Sequence, residues 1–129
     1  MKPDLYGTQS YSALAYDGEY VWAVWHSFNY KVDSSQTQLL LKIDKETGQV
    51  VSEFPAPLGS PGGNARGLAW DGKNLWHGTD RRLTALNQSG NKLAQYVLPG
   101  VREINGLAWD GSSLWIIEFG GKLWKLPLK

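Results

Sequence analysis

The side chains best suited to metal or acid–base chemistry in this chain are two histidines and a few carboxylates. His26 and His77 are the only histidines, and the chain has no cysteine. A structural zinc site needs four ligands and a catalytic one usually three, so two isolated histidines do not form such a set. The sequence also lacks the short patterns of serine hydrolases, zinc peptidases and phosphate-binding loops. We therefore predict no metal, no cofactor and no catalytic residue.

Three aspartates resemble a carboxylate cluster when the sequence is first read. Asp17, Asp71 and Asp110 are each followed by glycine. Asp-Gly favours a tight hairpin turn because both residues tolerate a positive φ. We expect these carboxylates to lie in separate turns, pointing outward at one rim, and to have no role in metal binding or proton transfer.

The remaining candidates could contact a ligand without reacting with it. Arg66 is the strongest, since a guanidinium group offers a planar fork of donors to an anionic or polyhydroxylated molecule. An alternative is that Arg66 pairs with Glu103 and only ties neighbouring units together. Trp25 is a possible stacking surface. The full set of candidate ligand-binding residues is Arg66, Asn105, Glu103, Trp25, His26, Asp80, Glu118 and Asn64.

An internal repeat positions these residues. Segments 13–22, 67–76 and 106–115 align without gaps on a Leu-Ala-Trp/Tyr-Asp-Gly core that ends in tryptophan. They start 54 and then 39 residues apart, and the 15-residue difference falls between elements, where insertions are tolerated. The alignment places Ser12, Arg66 and Asn105 at one equivalent position.

Each repeat predicts four short antiparallel strands, A to D, in about 40 residues, which is typical of a β-propeller blade. The run Gly-Leu-Ala-Trp-Asp-Gly-x-x-Leu-Trp, followed by Leu-x-x-Leu and a turn ending in glycine, resembles the blades of the NHL-like and glutamine cyclotransferase-like propeller superfamily. The resemblance implies an all-β propeller. That superfamily includes enzymes, binding modules and scaffolds, so it does not select one function.

The chain is expected to be one domain of three blades, at about 12–58, 66–99 and 105–129, with an N-terminal strand at 1–10. Three four-stranded blades are too few for a ring, since propellers typically have four to eight. Because the third repeat stops after strand C, we predict that the N-terminal strand of a second copy completes it by strand exchange. Two chains would then form a six-bladed homodimeric ring. A fragment of a longer propeller is the alternative.

The direction of the strands assigns the loops to two faces. The D-to-A and B-to-C loops share one face, which we call the loop face, and it carries both long insertions, at 27–38 and 59–65. Functional loops on a rigid scaffold are expected to look like this, although a solvated face also tolerates insertions.

Three functions are compatible with this pattern. The first is a non-catalytic binding or scaffold module that takes a small polar ligand, a sugar or a peptide on its loop face. The second is a lyase or cyclotransferase, for which Glu103, Glu118, Asp80 and the two histidines could act as acid or base. The third is a structural or engineered half propeller with no ligand.

Composition limits the partners. The formal net charge is +1, from 13 basic and 12 acidic residues, which gives no electrostatic signature of nucleic acid or membrane binding. Since no apolar run approaches the ~20 residues of a membrane span, we expect a soluble, cytoplasmic protein whose main partner is a second copy of itself.

Overall fold

The computed structural model describes residues 8–29, 35–56 and 65–128, and these form antiparallel β-strands joined by turns and loops. The eleven strands of this described part are β1 Thr8–Tyr16, β2 Tyr20–Asn29, β3 Ser35–Asp44, β4 Val50–Pro55, β5 Ala65–Trp70, β6 Leu75–Thr79, β7 Arg82–Leu86, β8 Lys92–Val97, β9 Ile104–Trp109, β10 Ser113–Glu118 and β11 Leu123–Pro127. No helix in the described ranges is long and apolar enough to cross a membrane.

The strands form three sheets in chain order, which we call blades one, two and three. Blade one is β1-β2-β3-β4, blade two is β5-β6-β7-β8, and blade three is β9-β10-β11. Neighbouring strands pair antiparallel within each blade, as short hairpin connections require. The all-β architecture predicted from the repeat is confirmed, and blade three has three strands among the residues that the structure describes.

The Asp-Gly turns join the first two strands of every blade. Gly18, Gly72 and Gly111 have φ values of 96°, 95° and 106°, a region that glycine enters without steric cost. The preceding aspartate accepts hydrogen bonds from the backbone N–H groups two and three residues later, at 2.7–2.9 Å. The sequence motif thus closes each hairpin through both its glycine and its carboxylate.

Apolar side chains hold the blades side by side. Trp22, Val24 and Leu40 of blade one pack against Leu68 and Leu75 of blade two. The opposite face of blade two contributes Ala69, Trp76, Leu83 and Ala85 to a second core with blade three, whose side is Ile104, Leu114 and Ile116. The first strands β1, β5 and β9 lie next to one another, with β5 in the middle. This succession of face-to-face sheets is the packing of propeller blades.

Two glycines let blades two and three approach closely. A Cβ added to Gly67 would lie 2.8 Å from Cγ of Leu107, and one added to Gly78 would lie 2.6 Å from Cγ2 of Ile104. Because real Cβ atoms do not approach so near, these positions favour glycine for reasons of space.

β1 begins at Thr8, so it includes residues 8–10 of the segment expected to form a separate N-terminal strand. The rest of that segment, 1–7, lies outside the described residues, as does the proposed exchange of that strand with another chain. Strand exchange therefore remains a prediction.

Candidate functional site: the loop face

The equivalent residues Ser12, Arg66 and Asn105 each lie at a β-bulge in the first strand of their blade. The pairing of β1 with β2 shifts register between Tyr11 and Ala13, and that of β5 with β6 shifts between Ala65 and Gly67. In blade three, Gly106 pairs with Ile117 and Ile104 with Glu118, so Asn105 is the extra residue. A bulge redirects the side chain of the unpaired residue, and bulges are frequent beside functional sites.

A polar cavity of about 540 Å³ opens on the loop face where blades two and three meet. It is lined by residues from the β6–β7 turn and from the β8–β9 connection: Asp80, Arg81, Arg82, Val97, Arg102 and Glu103. Asp80 and Glu103 are two of the residues expected at a ligand site, whereas Arg82 was not expected. The structure thus brings three guanidinium groups and two carboxylates to one opening.

Backbone hydrogen bonds fix the two loops around this cavity. Leu98 N–H donates to the carbonyl oxygen of Arg81 at 2.9 Å, and Ile104 N–H donates to that of Asp80 at 2.5 Å. Phe119 N–H in turn donates to the carbonyl oxygen of Glu103 at 2.8 Å. The cavity wall is therefore held by bonds that cross between loops and between blades two and three.

Asp80 has an unusual backbone conformation. Its φ is +54°, and it is the one non-glycine residue with a positive φ among the described residues. Aspartate tolerates this left-handed region better than most residues, but the conformation is still sparsely populated. It lets the two residues Asp80 and Arg81 form the whole turn between β6 and β7, with Arg82 as the first residue of β7.

Glu118 and Trp25 occupy buried positions rather than an open surface. Glu118 is 3% exposed and accepts a hydrogen bond at 2.7 Å from Nε1 of Trp124 in the same blade. Trp25 is 5% exposed, so its ring offers no open stacking surface in the single chain. A ligand-stacking role for Trp25 therefore stays a prediction.

His77 does not line the cavity. His77 is fully buried in β6, with Nδ1 3.2 Å from Oγ1 of Thr79. The backbone of His26 pairs with Ser10 and Gln38 inside blade one. Asn64 lies outside the described residues. Among the residues that are described, no three His, Asp or Glu side chains come close enough to hold a metal ion together.

The three turn aspartates have a partner that sequence reasoning missed. The second carboxylate oxygen of Asp17, Asp71 and Asp110 accepts a hydrogen bond from the indole Nε1 of Trp22, Trp76 and Trp115, at 2.8, 2.8 and 2.7 Å. The carboxylates therefore point back toward their own hairpins rather than simply outward. The recurrence of Asp and Trp five residues apart in each repeat was the available signal.

Two other concave regions are apolar and differ in kind from the loop-face cavity. A cavity of about 590 Å³ lies on the outward face of blade one, against Leu14, Ala23, Ile43 and Val50. A smaller one of about 190 Å³ lies on the outward face of blade three, against Ala108, Trp115, Ile117 and Leu123. Both are sheet faces with no neighbouring blade in the described structure, so their volume does not identify a small-molecule site.

Comparison with known proteins identifies the fold. No protein-family model matches the chain, and no curated protein matches it significantly. Among solved structures, the β-propeller domain of Myceliophteria thermophila Cps50 (Swd1) matches with a TM-score of 0.58 and 14% identity over 98% of this chain and 38% of that one. Virginiamycin B lyase from Staphylococcus aureus gives 0.56 and 14%, over 92% of this chain and 52% of that chain.

Glutaminyl cyclase from Myxococcus xanthus matches with a TM-score of 0.52 and 20% identity, over 92% of this chain and 51% of that chain. The expected resemblance to propeller superfamilies is thus confirmed at the level of the fold. This chain spans about half the length of the two enzymes, or less in the case of Cps50.

Proposed function

We propose that the chain is a non-catalytic binding module that forms a six-bladed ring from two copies and presents its loop face to a small polar ligand. The observation that carries the proposal is the equivalence between its two exposed end faces and the faces already buried between its blades. A propeller blade is stable when both of its faces are covered, because each face is a row of apolar side chains.

The outward face of blade three repeats the residues by which blades one and two each cover the next blade. Ile117 aligns with Val24 and Gly78, and Leu123 aligns with Leu40 and Leu83. Val24, Leu40 and Leu83 are 0% exposed between blades, whereas Ile117 and Leu123 are 46% and 58% exposed. The leucine position is therefore buried in blades one and two and exposed in blade three, and Ile117 is exposed where its equivalent Val24 is buried.

The outward face of blade one shows the complementary pattern. Leu14 aligns with Leu68, and Tyr16 aligns with Trp70. Leu68 is 4% exposed and Trp70 packs against the core between blades one and two, yet Leu14 and Tyr16 are 68% and 51% exposed. A contiguous exposed apolar surface of this kind marks an interface.

A second copy of the chain would supply the neighbouring blade that covers each exposed end face. Blade three of one chain would cover blade one of its partner as blade two covers blade three within the chain. A two-fold axis makes this contact twice, which closes the ring and leaves neither face exposed. Six blades are within the usual range for propellers.

The loop face of such a ring would carry the bulge position six times. Two Ser12, two Arg66 and two Asn105 side chains would surround the channel mouth. Hydroxyl, guanidinium and amide groups together suit a polyhydroxylated or anionic ligand. This arrangement supports ligand binding on the loop face over a purely structural role.

Molar mass measured by light scattering tests ring formation. The wild-type chain should be a dimer at micromolar concentration, and Leu123→Glu should be a monomer because it places a charge in the apolar interface. Leu93→Glu is the matched control, since Leu93 is similarly exposed, at 52%, but lies on the outer strand β8. A monomeric wild type, or equal dissociation of both variants, would overturn the proposal.

A further inference from the structure

The cavity between blades two and three brings arginine side chains together on the loop face. Arg81, Arg82 and Arg102 lie around one opening of about 540 Å³, with Asp80 and Glu103 as the only acidic residues in its described lining. The formal charge of this lining is therefore +1, from three guanidinium groups and two carboxylates.

Arg81 is not required by the blade repeat. The residues at the positions of Arg81 are Ser27 and Gly120, and those at the positions of Asp80 are His26 and Phe119. A residue that supports the fold recurs from blade to blade, as the tryptophans and turn aspartates do. Arg81 departs from the repeat on the side where the loops meet, whereas the position of Arg82 also carries a cation, Lys122, in blade three.

The cavity is preorganised to hold its charges. The hydrogen bonds from Leu98 to Arg81 and from Ile104 to Asp80 lock the β6–β7 turn against the β8–β9 connection. Asp80 has a left-handed backbone conformation, which most residues avoid. Residues with strained backbones of this kind are concentrated at binding and catalytic sites. A rigid wall reduces the entropy that a ligand would lose in ordering it.

We propose that this cavity binds a small ligand through its oxyanion groups, a carboxylate or a phosphate, by contacts with Arg81 and Arg102. Both side chains are exposed at the cavity mouth, and Arg binds planar oxyanions through two parallel N–H donors. Arg82 also takes part in interactions within the protein, so it supports the positive potential rather than serving as the main donor. Glu103 is placed to accept a hydrogen bond from a hydroxyl or amine of the same ligand.

The cavity lies on the loop face proposed above as the binding face, and an oxyanion would be the class of ligand bound there. All the residues that line the cavity belong to one chain. Binding there does not depend on ring closure. None of the cavity residues belongs to the outward faces of blades one and three, so loss of binding and loss of association can be told apart.

Titration with citrate and with inorganic phosphate, followed by ¹H–¹⁵N NMR, tests the proposal. Saturable shifts should concentrate on the amides of residues 79–83 and 98–104, and the neutral polyol glycerol should leave those amides unmoved. The double variant Arg81→Gln/Arg102→Gln should bind the better of the two anions about tenfold more weakly or worse. Its folding is checked by the spectrum itself, and its mass by light scattering, which should match that of the wild type.

The control variant Lys73→Gln/Lys92→Gln removes the same charge from exposed positions away from the cavity, in the β5–β6 turn and at the start of β8. It should retain wild-type affinity. Equal weakening in both double variants would mean that only the overall charge attracts the anions, and it would overturn the site. The absence of saturable shifts with either anion would also overturn it.

Discussion

The indole Nε1 of Trp22 donates a hydrogen bond to Oδ2 of Asp17 at 2.8 Å, and the same carboxylate accepts a second bond at 3.1 Å from Nε2 of Gln88 in blade two. Its other oxygen, Oδ1, accepts hydrogen bonds from the backbone N–H groups of Glu19 and Tyr20. One side chain therefore closes its hairpin, orients a fully buried tryptophan and connects two blades.

Replacing this carboxylate should destabilise the fold more than replacing its equivalent at the exposed end. Asp17 is 8% exposed and Trp22 0%, whereas Asp110 lies on the exposed rim. Asp17→Ala leaves a buried indole N–H without its acceptor, and we expect a loss of about 2–3 kcal/mol in the free energy of unfolding. Urea denaturation compares the two variants, and a loss for Asp110→Ala as large as that for Asp17→Ala would contradict this role.

Acid should destabilise the protein through the same carboxylates. Burial raises the pKa of Asp17, but the hydrogen bonds from Trp22, Tyr20, Glu19 and Gln88 outweigh it and hold the pKa below its usual 3.8. The Trp115 indole and the N–H groups of Ser112 and Ser113 lower the pKa of Asp110 strongly. A carboxyl whose pKa is lower when folded stabilises the native state above the unfolded value, and this contribution is lost as the pH falls through the folded value.

We therefore expect the free energy of unfolding to be nearly constant from pH 7 to about pH 5 and to decline below pH 4. Urea titrations at pH 6 and pH 3 measure the difference. Asp17→Asn should be less stable at pH 6 but should lose less on acidification than the wild type. An unchanged pH dependence in that variant would show that Asp17 does not contribute to it.

Gly78 should not tolerate even one added methyl group. The Cβ of Gly78→Ala would meet Cγ2 of Ile104 at 2.6 Å, and overpacking of this kind typically costs about 1–3 kcal/mol. Thermal denaturation should show a lower Tm. Combining the change with Ile104→Ala makes room for the methyl group, so the two losses should be less than additive; full additivity would mean that the two residues do not meet.

The variant Arg66→Ala tests whether Arg66 contacts a ligand or only stabilises the packing of neighbouring blades. Arg66 lies at the bulge of β5, and in the proposed ring it faces the channel mouth. A thermal-shift screen of sugars, short peptides and small anions against the wild type should yield stabilising compounds, because a ligand of the native state raises its stability. Arg66→Ala should reduce their effect while the Tm of the ligand-free protein changes little. Unchanged ligand shifts with a lower Tm would identify a tie between blades.

Most of the fold could be predicted from the repeat, because its register fixes the equivalence of positions far apart in the chain. Ser12, Arg66 and Asn105 were aligned by counting residues, and the structure places all three at the same bulge. The bulge itself was not predicted. One extra residue shifts the alternation of polar and apolar residues, but consecutive residues such as Leu68 and Ala69 are both apolar and buried, so the shift does not show in the sequence.

The candidate site was harder to predict because it depends on contacts between different blades. Arg82 and Arg102 are twenty residues apart and line the same cavity because of the path of the β8–β9 connection, which no local pattern specifies. Glu118 was grouped with the loop-face polar residues, yet a bond to Trp124 engages its carboxylate inside the blade. Local propensity describes strands and turns well, but it carries no information on which side chains meet across an interface.

The close approach at Gly67 and Gly78 also has a geometric consequence. Each blade packs one face against the preceding blade and the other face against the following blade. Contacts of this head-to-tail kind can be repeated without limit. In the ring proposed above, the angle between successive blades sets whether copies close after two or continue as an open helical fibre. A bulkier residue at either glycine would widen that angle, so under this proposal such variants are expected to favour a fibre over a closed ring.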